Sequence, residues 1–201
     1  MNQSDFNLMH QNGNTESKIV VSLERIAQAF RVLLWQESKE HALTPIQVQV
    51  LIFLHYHSDE KCKVSYLAHE FNMTKATISD TVKILENKKL IYKVFEPKDG
   101  RSYVIRLTHE GKMLAEKTAM FSKEISKPID EMDKDEKEIL LRSLLNIIRH
   151  LNQTGIITIQ RMCLTCSHYQ SSKTAPHYCR LLKQRLHVAD LRIDCPEHIP
   201  K

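Results

Sequence analysis

Four of the five cysteines fall within the last 39 residues, as Cys163-x2-Cys166 followed by Cys179 and Cys195. Two thiols separated by two residues can turn toward one ion, and two more can close a tetrahedral set. Zinc held by four thiolates is the first reading of this spacing. It would also supply folding energy to a segment too short to build a core of its own. An iron–sulfur cluster uses the same donor set. Cys195-Pro196 matches the Cys-Pro that ends one ferredoxin motif, but the other spacings do not. A thiol switch without metal is the third reading, and a thiol–disulfide oxidoreductase using Cys163 and Cys166 is a fourth. The last needs a strand-to-helix junction in a thioredoxin-like fold, and the surrounding sequence does not read that way. His168, His177, His187 and His198 lie close by, each either a substitute ligand or a surface residue. Cys62 stands apart and reads as a buried thiol, with redox sensing as the alternative.

A second group of residues suits nucleic acid. Thr74, Lys75, Thr77, Ser79 and Lys83 fall on one face of a helix that Thr74 would cap. Short hydroxyls and longer basic chains near a helix N-terminus are what a major groove can accept, and the helix end itself favours phosphate. Further on, Lys98, Arg101 and Ser102 sit at or beside the tip of an expected hairpin, where an arginine can enter the narrow minor groove. Asp80 shares the helix face and would either repel phosphate or accept from a cytosine amino group.

The flanking elements must place these groups. Apolar residues at Ile19, Leu23, Ile26, Ala27, Phe30, Leu33 and Leu34 predict a long amphipathic helix over 17–41. Thr44-Pro45-x-Gln47 predicts the start of a second helix with a capping box. A short helix over 64–71 and a turn at Asn72-Met73 lead to the helix capped by Thr74, which runs to about Lys88. The period then changes. Residues 90–95 and 103–107 are β-branched and aromatic, and Asp99-Gly100 lies between them, a hairpin pattern. Thr108 caps a further helix that Pro128 should kink or divide. Asp133 and Glu136 start the last one, whose apolar stripe is Ile139, Leu140, Leu144, Ile147, Ile148 and Leu151. The expected fold class is mainly α with a small β-hairpin wing: a winged helix-turn-helix with long helices that can pack on their own domain or on a partner subunit, and a small metal-binding tail. The expected divisions are a flexible arm over 1–16, the helical region over 17–154 and the cysteine-rich tail over 155–201.

Composition narrows the function classes. The 201 residues carry a net charge of +5, with a surplus of four basic residues over 63–108 and another four over 155–201. Such patches attract phosphate backbones, although they also occur as plain solvated surface. The chain lacks an apolar run near the ~20 residues a membrane span needs, and its polar start lacks a signal core. The expectation is therefore a cytoplasmic protein with reduced thiols and no membrane partner. Gly-rich phosphate loops, paired catalytic carboxylates and a hydrolase serine motif do not stand out, which agrees with a regulator rather than an enzyme.

The order of three fragments resembles the MarR family, the multiple-antibiotic-resistance regulators. They are Leu43-Thr44-x-x-Gln47, Asp99-x-Arg101 and Leu107-Thr108-x-x-Gly111. The resemblance spans about 17–151 and implies a sequence-specific DNA-binding homodimer, usually a repressor. Recognition helices would lie in the major grooves of a palindromic operator and wings in the flanking minor grooves. It implies that Asp99 braces the wing and Arg101 contacts DNA, and that a small-molecule effector or cysteine oxidation releases the protein. Metal or redox sensing through the tail is the alternative function, and a protein-interaction winged helix a further one. One departure concerns geometry: the family often has glycine where this chain has Lys89.

Overall fold

The computed structural model describes residues 4–97, 99–172 and 177–201, with the backbone alone at 99–101. Eight helices and a two-stranded hairpin precede a tail of very short strands among the described residues. Helix α1 (Leu8–Gly13) lies in the stretch expected to be a flexible arm. Asn7 caps it by accepting from the Met9 and His10 amides at 3.0 and 3.2 Å, and the Ser17 hydroxyl donates to Asp5 at 2.7 Å. These local side-chain bonds, which apolar periodicity does not report, are why the polar segment is helical.

Helix α2 (Thr15–Glu40) leads through Ala42, held left-handed at φ 51°, into α3 (Pro45–Tyr56). The capping box forms as the spacing predicts: the Gln47 amide donates to Thr44 Oγ1 at 3.4 Å, and the Thr44 amide donates to Gln47 Oε1 at 3.1 Å. Gln47 is buried while doing so. Helix α4 (Val64–Glu70), a turn with Asn72 at φ 50°, and α5 (Lys75–Asn87) form the helix-turn-helix. Val48, Leu51, Leu67, Ile78, Val82, Leu85 and Ile105 are fully enclosed at its centre.

Strands β1 (Ile91–Glu96) and β2 (Asp99–Leu107) pair antiparallel from Ile91 opposite Leu107 to Phe95 opposite Tyr103, and the register then shifts beside Glu96. The Ile105 amide also donates to the Cys62 carbonyl at 2.9 Å, tying the hairpin to the segment before α4. Helix α6 (His109–Thr118) ends in a 3-10 turn over Ala119–Ser122, and α7 (Lys123–Glu131) follows. The expected break at Pro128 is thus misplaced. Pro128 lies inside α7, and the α-helical bonding is interrupted several residues earlier, at the 3-10 turn that follows Thr118. There the Thr118 hydroxyl donates back to the Leu114 carbonyl at 2.8 Å, a bond that bends helices.

Helix α8 (Lys134–Gln153) starts at the Asp133–Glu136 capping box. Beyond it come a 3-10 turn over Cys163–Thr165, strands β3 (Tyr169–Gln170), β4 (Tyr178–Cys179) and β5 (Gln184–Arg185) in the order β3-β4-β5, and a last 3-10 turn over Val188–Asp190. Met162, Leu186 and Leu191 close on Leu145 of α8 to form a second, small core. None of the described helices is long and apolar enough to cross a membrane.

The junction between α5, the hairpin and α6 explains two sequence features. Lys89 adopts φ 59°, so the left-handed geometry at the end of α5 is kept without glycine. The Leu90 amide donates to the Leu85 carbonyl at 3.1 Å to complete the helix end. The Thr108 amide donates to the Leu90 carbonyl at 3.0 Å, while the Thr108 hydroxyl donates to the Lys89 carbonyl and accepts from the Gly111 amide. A Cβ on Gly111 would stand 1.8 Å from the Leu90 oxygen, which is why Leu-Thr-x-x-Gly needs its glycine. Gly111→Ala should therefore lower unfolding free energy by about 1–3 kcal/mol through overpacking. Lys89→Gly should raise it by about 0.5–1 kcal/mol, the relief of a left-handed side chain less the extra freedom glycine has when unfolded. Urea midpoints at constant slope would check both.

Candidate nucleic-acid interface and thiol cluster

Helix α5 divides cleanly. Ile78, Thr81, Val82 and Leu85 face the core, whereas Thr74, Lys75, Thr77, Ser79, Asp80 and Lys83 are all exposed along the other side. Thr74 is the N-cap: the Thr77 amide donates to its Oγ1 at 3.1 Å, and the two hydroxyls lie 2.8 Å apart. Lys75 and Lys83 are the cations of this surface.

At the wing, Lys98 lies outside the described residues, as do the side chains of Asp99 and Arg101. The backbone of 99–101 belongs to β2, at the start of its strand. Ser102 is half-buried, and its hydroxyl donates to Glu96 across the hairpin. Glu96 also accepts from Lys63 at 2.5 Å, and these two donors hold its carboxyl below the usual range. A wing brace is therefore present in a residue that sequence reading did not single out. Lys93 pairs with Glu86 at 2.5 Å, and Arg106 with Asp59 at 2.6 Å, so the hairpin is fastened to α5 and to the loop before α4. The bulge beside Glu96 is the feature that turns it toward these donors, and spacing alone does not reveal a bulge.

The four tail cysteines converge. Cys163, Cys166, Cys179 and Cys195 line one cavity of about 30 Å³, together with His168 and Glu197. The Cys166 amide donates to the Cys163 carbonyl at 3.0 Å, forming the tight turn that faces both thiols inward. The Arg192 amide donates to Cys163 Sγ at 3.2 Å, and the Arg192 guanidinium to Cys195 Sγ at 3.6 Å. Burial raises the Cys163 thiol, and its three cysteine neighbours raise it further. The sulfurs surround the cavity at looser spacing than a bound ion would impose: among the described residues no three of them lie within 4.8 Å of one another. The donor set, the turn and the amide donors to sulfur all suit a metal bound by thiolates. Of the nearby histidines, His198 meets the Thr165 hydroxyl at 3.0 Å and His177 meets the Tyr169 hydroxyl at 2.7 Å. His187 caps the last 3-10 turn, which leaves His168 as the imidazole at the cavity.

Arg161 was not anticipated as a site residue. It is buried, two residues before Cys163, and it joins the tail to the helix-turn-helix. Its guanidinium donates to both Asp194 oxygens at 2.6 and 2.7 Å, to both Glu70 oxygens at 2.7 and 3.2 Å, and to the Tyr66 hydroxyl at 2.9 Å. It also lies over the Phe53 and Tyr66 rings at 5.8 and 5.9 Å. His57 Nε2 stands 3.0 Å from Asp194. The Arg161 bonds hold the Asp194 carboxyl far below the usual carboxylate range.

Cys62 is set apart, 2 % exposed, and burial pushes its thiol up to about 11, with Asp59 adding to the effect. With a chelator present, a thiol-specific disulfide reagent should therefore label four cysteines quickly and the fifth only on denaturation. The slow phase should vanish in Cys62→Ser, and rapid labelling of all five would show that this thiol is accessible.

The MarR family profile matches residues 42–102, from the start of α3 into the wing. No curated protein matches the chain. Among solved structures, it is similar to Staphylococcus aureus MepR in complex with DNA, at 24% identity and TM-score 0.57, covering 66% of this chain and 97% of that one. It is likewise similar to S. aureus MepR in a DNA-binding conformation, with the same identity and TM-score, covering 66% and 98%. A third likeness is to MepR described as a transcription regulator of the S. aureus multidrug efflux pump MepA, at 23% identity and TM-score 0.51, covering 64% and 95%. These likenesses account for nearly the whole of MepR and leave about a third of this chain unmatched. Residues 42–102, which hold the capping box, the helix-turn-helix and the first part of the hairpin, match the MarR family model, and the fold around them is similar to that of the MepR structures.

Proposed function

We propose that this protein is a DNA-binding transcriptional regulator that acts as a homodimer and represses by occupying promoter DNA. The observation that carries this reading is the exposed basic and hydroxyl face of α5 beside a braced wing. That face sits within a segment matching the MarR family. Lys75, Thr77, Ser79 and Lys83 enter a major groove, and the first turn of α5 offers its amides to phosphate. Arg101, with Lys98, follows the adjacent minor groove. MepR, whose fold is similar, has been seen with DNA. Dimerisation is supported by apolar surface left uncovered on the long helices. Ile19, Ile26, Phe30 and Trp35 of α2, and Ile139 and Ile147 of α8, are each more than a third exposed. Exposed apolar residues concentrated on long helices are what a partner subunit covers.

The thiol cluster supports a second reading alongside the first, a tail that holds a metal. Zinc is preferred to an iron–sulfur cluster because four thiolates complete a tetrahedral zinc site, whereas the cysteine spacing does not follow a ferredoxin pattern.

DNA binding is tested by enriching duplexes from a randomised library with the full-length protein, then measuring Kd over a salt series. A palindromic consensus and a steep fall in affinity with salt are expected. Lys75→Ala and Arg101→Ala should each raise Kd about ten-fold, within the 1–3 kcal/mol of a good groove contact. Binding that ignores salt, or a library without enrichment, would overturn the reading. Sedimentation of the free protein tests the dimer.

A further inference from the structure

Cys163 and Cys195 belong to the same backbone pairing as Arg161 and Asp194. The Cys163 amide donates to the Arg192 carbonyl at 2.9 Å, the Cys195 amide donates to the Arg161 carbonyl at 3.0 Å, and Arg161 and Asp194 form an isolated parallel bridge. Whatever draws the two thiols together also sets the two charged residues side by side. Their side chains then leave the tail and grip α4: Arg161 holds Glu70 and Tyr66, and the Thr158 hydroxyl donates to the His69 carbonyl at 2.7 Å. The other side of the tail packs on α8 through Met162, Leu186 and Leu191 around Leu145. The tail is thus a strap from α8 to the first helix of the helix-turn-helix.

From this juxtaposition we infer that the four thiols form a metal-dependent clamp: a thiophilic divalent ion bound by Cys163, Cys166, Cys179 and Cys195 orders the tail, seats Arg161 against Glu70, and fixes the DNA-binding lobe relative to α8. The inference rests on the metal-holding reading of the tail. Its physical ground is the poverty of the tail without metal. Its named strands are two residues long, and its core has three buried tail residues, Met162, Leu186 and Leu191, plus the enclosed Cys166. Such a segment depends on its metal for order. Zinc binding displaces thiol protons to solvent and closes the loops that hold 161 beside 194. Without the ion the loops open, Arg161 leaves α4, and the lobe moves more freely. A lobe ordered before it meets DNA incurs less ordering cost on binding, so the metal-loaded form is the tighter DNA binder.

The experiment uses the full chain, zinc or cobalt alone as the metal probe, and the enriched duplex as the DNA probe. Cobalt should give the intense absorption of a tetrahedral thiolate site at one ion per chain. Zinc should slow hydrogen exchange of the α4 amides and lower Kd for DNA at least ten-fold relative to chelated protein. Glu70→Gln lies outside the thiol site and should keep the cobalt spectrum while losing most of the α4 protection and bringing the Kd ratio near one. Tyr66→Phe is the milder companion if Glu70→Gln folds poorly, and should reduce the ratio partway. Absent cobalt absorption overturns the metal site. A zinc-loaded wild type without α4 protection overturns the clamp. Full coupling retained in both variants overturns the route through Arg161. If the zinc-loaded protein protects α4 but binds no duplex, the clamp stands and the DNA-binding reading fails.

Discussion

A guanidinium taken out of water must be met by charge and hydrogen bonds on every side, and Arg161 is met in this way. Two carboxylates, a phenol and two aromatic faces enclose it, and they come from three parts of the chain: Asp194 from the tail, Glu70 and Tyr66 from α4, Phe53 from α3. Buried ion pairs contribute little net stability when compared with apolar packing. Removing one partner is costly, however, because it strands the other charge. Arg161 therefore acts less as glue than as a constraint. The tail can dock on the helix-turn-helix only in the arrangement that neutralises all of these groups together, and this specifies one relation between two small cores that otherwise share few contacts.

The same constraint explains how α8 divides its surface. Leu141, Leu145 and Ile148 recur at helical spacing and face the tail, with Leu145 wholly enclosed. Leu140, Leu144, Ile147 and Leu151 recur at the same spacing about a quarter turn round, and none of them is buried within one chain. A helix with a single packing partner needs only a stripe about 100° wide. Two adjacent stripes mark a helix with two partners. The tail covers the first, and the second is the surface that the proposed dimer would use.

Much of this was legible in the sequence, for reasons particular to each element. Capping residues announce helix starts because their bonds are local, so Thr44-Gln47, Thr74, Thr108 and Asp133-Glu136 all fell where the structure has them. The hairpin was legible because Asp-Gly punctuates a change of period. The convergence of the four cysteines was legible because thiols at this spacing can share one site. The break after α6 was misplaced because proline is a louder signal than a threonine bonding back to its own helix. The apolar stripe read on α8 omitted Leu141 and Leu145, since a search for one face cannot separate two that overlap. Arg161 was invisible for a different reason. Its partners lie 33, 91 and 95 residues away, and no local pattern marks an arginine for burial.

The departure at Lys89 shows how such non-local needs decide local geometry. Left-handed backbone favours glycine, and a lysine there carries a cost of about 1–2 kcal/mol. The chain tolerates it because two bonds depend on that bend: the Lys89 carbonyl accepts from Thr108, and the neighbouring Leu90 carbonyl accepts from the Thr108 amide directly over Gly111. The two sites form one joint, in which the missing Cβ of Gly111 gives room to the carbonyl that the bend at Lys89 presents. With the α6 side of the joint closely fitted, the α5 side can accept an ill-suited residue type without changing shape. Helix α5 therefore keeps its exit angle into the hairpin.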